Sequence, residues 1–380
     1  MKPTTFRSTV GAVLTVALSA VVLPATAASA AGGKASGTAT VDSATTTSFG
    51  RVADAVLTER TAALLDSRQV GRIAPLKDRN VRLSARQSRV EDGALSSLRG
   101  RKARLASLGE AYTSADTRVS VDRTRVKDGR ATVQVTETTT LKYKKIHGDE
   151  PATTGFQAHH ELNFTARADG GWELTGITPK DDGLRQINQP EATAVQGVAT
   201  AHPNATRAST TRPSRQQQKP TGTTGYNYKA MASYAEKYWK NYNPAYRKFN
   251  DAGGDCTNFV SQSLKAGGWK HDSGVYSDYR NWWYDSSYQT SSWVGADEWS
   301  WFTLHHKRAT NLSNVYYMGI GDIMQMDFNR DGSKDHSMIV TYRSSSGVPY
   351  LTYHSVNTYR KSVASIIASN PNAYYYAYRT

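Results

Sequence analysis

The chain holds one cysteine, Cys256, within Gly253-Gly254-Asp255-Cys256-Thr257-Asn258-Phe259-Val260-Ser261-Gln262-Ser263-Leu264. Two glycines followed by Asp spell a turn and a helix N-cap. Phe259, Val260 and Leu264 share one helical face with the thiol, and Ala266-Gly267-Gly268 ends the helix. The thiol is therefore expected in the first turn, where unpaired backbone N–H groups and the helix dipole favour a thiolate. The same N–H groups could hold an oxyanion during acyl transfer, with Asn258 as a side-chain candidate. The alternative is a buried free Cys acting as a small hydrophobe. A lone thiol excludes an intrachain disulfide framework and a Cys-rich zinc site.

A nucleophilic thiolate needs a base from elsewhere in the chain. Gly321-Asp322-Ile323-Met324-Gln325-Met326 reads as a turn into a strand, and Asp335-His336-Ser337-Met338-Ile339-Val340-Thr341 as a second that begins at a histidine. Tyr350-Leu351-Thr352-Tyr353-His354-Ser355 ends in another, and Tyr374 to Tyr378 makes a fourth. In an antiparallel pair, the start of one strand and the end of the next share an edge, so His336 and His354 can face one site. Between the first two strands, Asp327-Phe328-Asn329-Arg330-Asp331-Gly332-Ser333-Lys334-Asp335 fits the opening of a calcium loop, but Met338 stands where the bidentate Glu belongs. A polar hairpin explains the same residues through turn chemistry. No metal or cofactor is expected.

This combination is similar to the papain-like wall hydrolases of the NlpC/P60 and CHAP groups. Within them, Gly254 to Gln262, Gly267-Gly268 and Asp335 to Thr341 resemble the "putative amidase" domain family over residues 226–380. The resemblance implies an α+β fold, a helix bearing the Cys packed on a small antiparallel sheet. It implies Cys256 as nucleophile, His336 as general base and acid, and His354 as the third residue orienting the imidazole. Asn357 competes with His354 for that role, since a Cys–His–Asn set works equally well. The implied reaction is hydrolysis of an amide through a thioester, on a peptide substrate such as peptidoglycan. Transglutaminase-like chemistry would instead place an Asp beside His336. The competing class is a non-catalytic secreted binding protein on the same scaffold.

The rest of the chain must position and deliver this domain. At 380 residues, roughly 100–200 per domain predicts two domains. Lys2 and Arg7, an uncharged run from Val10 to Leu23, and the small-x-small patterns Ala25-Thr26-Ala27 and Ala28-Ser29-Ala30 form a secretion signal over 1–30. That run is short of the ~20 apolar residues of a membrane span, so no stable anchor is expected and the protein is expected to be extracellular or wall-associated. Of 22 Tyr, 20 lie from Tyr226 onward, as do 7 of 8 Trp. The formal charge of +15 divides as +11 upstream of Tyr226 and +4 from there on. Residues 45–185 read as helices followed by an antiparallel meander, including Thr132 to Thr136, Phe156 to Phe164 and Trp172 to Ile177. They resemble the cystatin-like or nuclear-transport-factor-like architecture and form a separate basic domain. Residues 186–225, rich in Ala, Thr, Gln and Pro, read as a flexible linker.

His159-His160 fall on adjacent strand positions, which face opposite ways and do not readily share a metal. The basic excess has no interleaved aromatic residues, so a solvated face is expected rather than specific nucleic-acid binding. Trp282, Trp283, Trp293, Trp299 and Trp301 either wall a substrate cleft or pack a core. His305-His306 reads as a polar helix end. Oligomeric state is left open.

Overall fold

The computed structural model describes residues 42–66, 81–144, 147–181, 183–190, 205–220 and 225–380. The expected secretion signal lies outside them. Thr38–Thr380 forms one compact unit.

Helix α1 (Ser43–Ala62) starts at Asp42, whose carboxylate accepts the Thr45 N–H, and it buries Phe49, Val52, Ala53, Val56 and Leu57. Strand β1 (Val81–Leu83) leads into α2 (Ala85–Ser107), capped by Ser84. Four strands follow, β2 (Tyr112–Lys127), β3 (Arg130–Tyr143), β4 (Thr153–Ala166) and β5 (Trp172–Pro179). They pair as an antiparallel meander, with β1 added parallel to β5. In β3, burial alternates residue by residue, as a one-faced sheet requires. Phe49 and the inward residues Val133, Val135, Leu162 and Phe164 build the core beneath α1.

The second half begins with α3 (Tyr228–Tyr238) and α4 (Cys256–Ala266), followed by α5 (Ser291–Val294), α6 (Ala296–His305) and β6 (Thr310–Leu312). Then come β7 (Ile323–Asp327), β8 (His336–Arg343), β9 (Pro349–Tyr353), β10 (Asn357–Ser362), α7 (Val363–Ser369) and β11 (Tyr374–Arg379). Strands β7 to β10 pair antiparallel in sequence order, and β11 returns to lie between β7 and β6. The four expected strands are all present, the third ending at Tyr353 and leaving His354 and Ser355 in the turn after it. The architecture is mixed α and β, with a large sheet and seven α-helices among the described residues.

The two halves are not separate sheets. Strand β5 covers β4 only from His160 onward, which leaves the first residues of that edge open. Strand β10 takes the open edge, with Asn357 opposite Gln157, Thr358 opposite Phe156 and Tyr359 opposite Gly155. One 11-stranded sheet results, and Leu141, Tyr143 and Phe156 share a core with Leu351, Tyr353 and Met338. The described part of the expected linker is also packed. The Ala208 N–H donates to the Tyr375 carbonyl, and Lys219 pairs with the buried Asp322 at 2.6 Å. Composition suggested flexibility because it counts only what the segment itself can bury. Here other elements supply the partners.

The aromatic insertion settles into core in part, since Trp283 and Trp301 stay partly exposed. Trp269, Trp282, Trp293 and Trp299 are fully buried behind α4, with Phe259, Val260 and Leu264 of that helix.

A sheet that crosses both halves should melt as one unit. Tryptophan fluorescence, which reports mainly the second half, and far-UV circular dichroism should give coincident urea transitions. Phe156→Ala, in the shared core, should shift both midpoints together, with a loss of about 3–5 kcal/mol.

Candidate active site

The turn before α4 needs glycines. Gly253 and Gly254 adopt φ of +90° and +103°, conformations that carry a steric penalty for any residue with a Cβ. Asp255 follows at the N-cap position, yet its side chain does not cap the helix. One carboxylate oxygen accepts the Phe249 N–H at 3.0 Å and the Asn258 amide at 2.9 Å. The other accepts His354 Nδ1–H at 2.7 Å. The backbone N–H of Asp255 donates to the Ser355 hydroxyl at 3.1 Å. Ser355 holds φ at +81°, a strained conformation for serine, and in doing so brings the turn after β9 onto the start of α4.

Cys256 opens the helix and is 5% exposed. Its sulfur lies 3.7 Å from the Thr257 hydroxyl, and the nearby Ser337 backbone N–H favours the thiolate. Thr257 Oγ1 meets Ser337 Oγ at 2.9 Å, and Ser337 Oγ accepts from Gln325 at 2.9 Å. This stitch ties the first turn of α4 to the start of β8, so the thiol sits against the residue that follows His336. The expected helix-terminus activation is outweighed. Burial pushes the thiol up, against the smaller opposing effects of the Ser337 N–H and Thr257.

His336 is fully buried, and among the described residues neither ring nitrogen has a hydrogen-bond partner. Its ring meets the edge of Tyr353 at 5.2 Å between centroids. Gly183 covers Nδ1, where a Cβ would stand only 3.3 Å away, and Gly183 holds φ at +82°. Burial, reinforced by the Lys361 charge, lowers the imidazole from 6.5 to about 3. The polypeptide over it is firmly anchored. Asn188 donates to Glu137 at 2.7 Å and to Thr61 at 2.9 Å, and Arg60 donates to Gln189 at 2.7 Å. Arg101 donates to the Ile187 and Gln189 carbonyls, while Leu184 and Ile187 pack in the shared core. Residues 183–189 thus form a strap from the first half that closes over the imidazole.

The expected third residue is elsewhere engaged. His354 lies between the rings of Tyr242 and Phe259, each 3.9 Å away between centroids. Nδ1 faces Asp255 and Nε2 faces the Tyr238 carbonyl at 2.9 Å. Asp255 and the Tyr238 carbonyl thus take up both ring nitrogens of His354. His354 therefore secures Asp255 and makes no hydrogen bond to His336. Asn357 does not contact His336 through a hydrogen bond either. It accepts from the Tyr242 hydroxyl at 2.9 Å. Asn258 is also committed, donating to the Arg247 carbonyl and Asp255 and accepting from Trp293, so it is not free to bind an oxyanion. Neither the strap nor Ser355 was identified from sequence. The one local signal at the strap was a glycine at 183, which marks a turn and says nothing of what the turn covers.

Asp327, Asn329, Asp331 and Asp335 turn their oxygens onto the hairpin's own backbone, accepting from Gly332, Asp331, Ser333 and Phe328. His159 and His160 point apart, to Asp181 and to the buried Glu137, both at 2.8 Å. Among the described residues, no group of three His, Cys, Asp or Glu side chains is placed to hold a metal ion.

Residues 225–378 match the model of a family described as "Putative amidase domain". Two relatives from Bacillus subtilis (strain 168) are similar to parts of the chain. "Uncharacterized protein YhbB" is 33% identical over 136 residues, 34% of this chain and 42% of the relative. "Uncharacterized protein YjcM" is 32% identical over 147 residues, 36% of this chain and 32% of the relative. The chain thus spans less than half the length of these curated relatives. The crystal structure of the intermembrane space region of chloroplast protein ARC6 aligns with 34% of this chain and 95% of its own, at 19% identity. Its TM-score of 0.22 is too low to carry a shared fold.

An imidazole held at about 3 when buried and near 6.5 when free makes folding release a proton. Its neutral form is tolerated above pH 6.5, and stability falls as pH drops from there towards 3, by up to about 1.4 kcal/mol per pH unit. His336→Phe should flatten that dependence in urea titrations at pH 7 and pH 5. His354→Ala should cost about 3–5 kcal/mol at pH 7, because it leaves the Asp255 carboxylate buried without its partner.

Proposed function

We propose that the chain is a secreted cysteine amidase of papain-like arrangement that cleaves an amide bond in cell-wall peptide. The observation that supports this best is the seat of Cys256 at the first turn of α4, tied through Thr257 to Ser337, the residue that follows His336 in β8, within a segment that matches an amidase family model. Cys256 adds to the substrate carbonyl, forming C–S while the oxyanion faces the backbone N–H groups of the first turn. His336 carries the thiol proton to the leaving amine as C–N breaks. Water, deprotonated by His336, then adds to the thioester, and the thiol departs with the proton returned. The leader over residues 1–30 supports delivery outside the cell. Among the described residues no helix is long and apolar enough to cross a membrane.

Turnover on this reading requires Gly183 to leave Nδ1, because a sealed imidazole cannot exchange a proton with thiol or amine. The buried thiol and covered imidazole favour a second reading, a secreted wall-binding protein that keeps the scaffold without the reaction.

The two readings differ at the sulfur. On the amidase reading, purified full-length protein releases new amines from peptidoglycan fragments, and Cys256→Ala, folded by circular dichroism, lowers that rate by at least about a thousandfold. Retained hydrolysis in Cys256→Ala would exclude the thiol mechanism. Iodoacetamide should label Cys256 slowly in the native protein, since burial raises its pKa, and faster in Asn188→Ala, which loosens the strap.

A further inference from the structure

A cleft of about 450 Å³ opens where the sheet's two halves meet. Gly254 and Ser355 line it, the first two residues before the thiol and the second bonded to the Asp255 amide. Its walls come from both halves: Lys180 and Asp181 follow β5, whereas Lys240, Lys248 and Asp251 lie between α3 and α4. The volume falls within the range of about 300–1,000 Å³ usual for ligand sites.

The charges lining it are unbalanced. Asp181 is occupied by His159, with a 2.8 Å contact to Nδ1 and a 2.7 Å bond from the backbone N–H. That leaves Asp251 against three ammonium groups. Lys180 and Lys240 have no carboxylate within ion-pair distance among the described residues, and Lys248 lies over the Tyr242 ring at 4.8 Å. The neutral polar groups are already bonded to each other, Asn250 donating to Tyr242 and Tyr242 to Asn357. The ammonium groups therefore carry the unbalanced positive charge of the cleft. A Lys head is a point charge with three donors and imposes no fork geometry, which suits mobile carboxylates on a flexible chain.

We infer that this cleft binds an acidic peptide, its carboxylates held by Lys180, Lys240 and Lys248. That the bound peptide is also the substrate rests on the amidase reading; the binding itself does not. The basic first half then has a role at the site, because Lys180 reaches the cleft from there.

The test is equilibrium binding of a fluorescein-labelled hexaglutamyl peptide to full-length Cys256→Ala protein, which cannot turn it over. The hexaglutamyl peptide should bind at low salt, weaken as salt screens the ammonium groups, and outcompete its hexaglutaminyl counterpart. Replacing Lys180, Lys240 and Lys248 together by Gln should weaken binding at least about fivefold, since exposed ion pairs contribute about 0.2–1 kcal/mol each. Should that triple variant fold poorly, Lys180→Gln and Lys248→Gln singly, both exposed, should each weaken binding by about twofold. Equal affinity for the two peptides would overturn the proposal. So would an equal loss when Lys127, Lys142 and Lys229, exposed lysines that do not line the cleft, are replaced instead. Displacement by micromolar inorganic phosphate would overturn the carboxylate assignment. Absence of amide hydrolysis by the native protein would count against the amidase reading and leave these binding results untouched.

Discussion

A buried carboxylate needs more acceptor bonds than its own helix offers, and at Asp255 that requirement organises the site. Its oxygens take the Phe249 N–H, the Asn258 amide and the His354 ring. Three separate pieces of chain, the loop before the thiol, the first turn of α4 and the end of β9, are thereby fixed to one side chain with no exposure. The Tyr242 and Phe259 rings clamp the histidine from both sides, so the carboxylate and its partner cannot separate without opening the aromatic stack. Cys256 inherits its position from this knot and from the Thr257–Ser337 contact, without a cap of the usual kind.

The same burial that makes the position exact in space works against reactivity. Removing water from the thiol raises it, and removing water from the imidazole lowers it, so both groups are held neutral. Those shifts describe the strapped arrangement. The strap is anchored through Asn188, Gln189 and two arginines into the first half of the chain, and Leu184, next to Gly183, is buried in the shared core.

Most elements were legible because their signals are local. The period of Phe259, Val260 and Leu264 specifies α4, alternation specifies β3 and β4, and the histidine-led strand specifies β8. Cys256 stood out because it has no second thiol to be confused with. What sequence could not show was choice among distant partners. His354 and His336 do end at one edge of the sheet, but whether the first turns to the second or to Asp255 depends on a carboxylate that declines its cap. Asn188 and Gln189 looked like linker composition, since amides suit solvent and buried networks equally. Nothing local in Phe156 to His159 marks β4 as having one half-open edge, so length and composition, which divide the chain, do not show that one sheet crosses both halves.

That half-open edge has a consequence for synthesis. Gln157 and its partner Asn357 are separated by 200 residues, and chains grow at about 5–20 residues per second. The first half therefore leaves the ribosome with its β4 edge unpaired and waits roughly 10–40 s for the strand that closes it. Exposed edges recruit other strands, so during that interval the nascent protein depends on chaperones or on holding its meander unfolded. Slower translation lengthens that exposure.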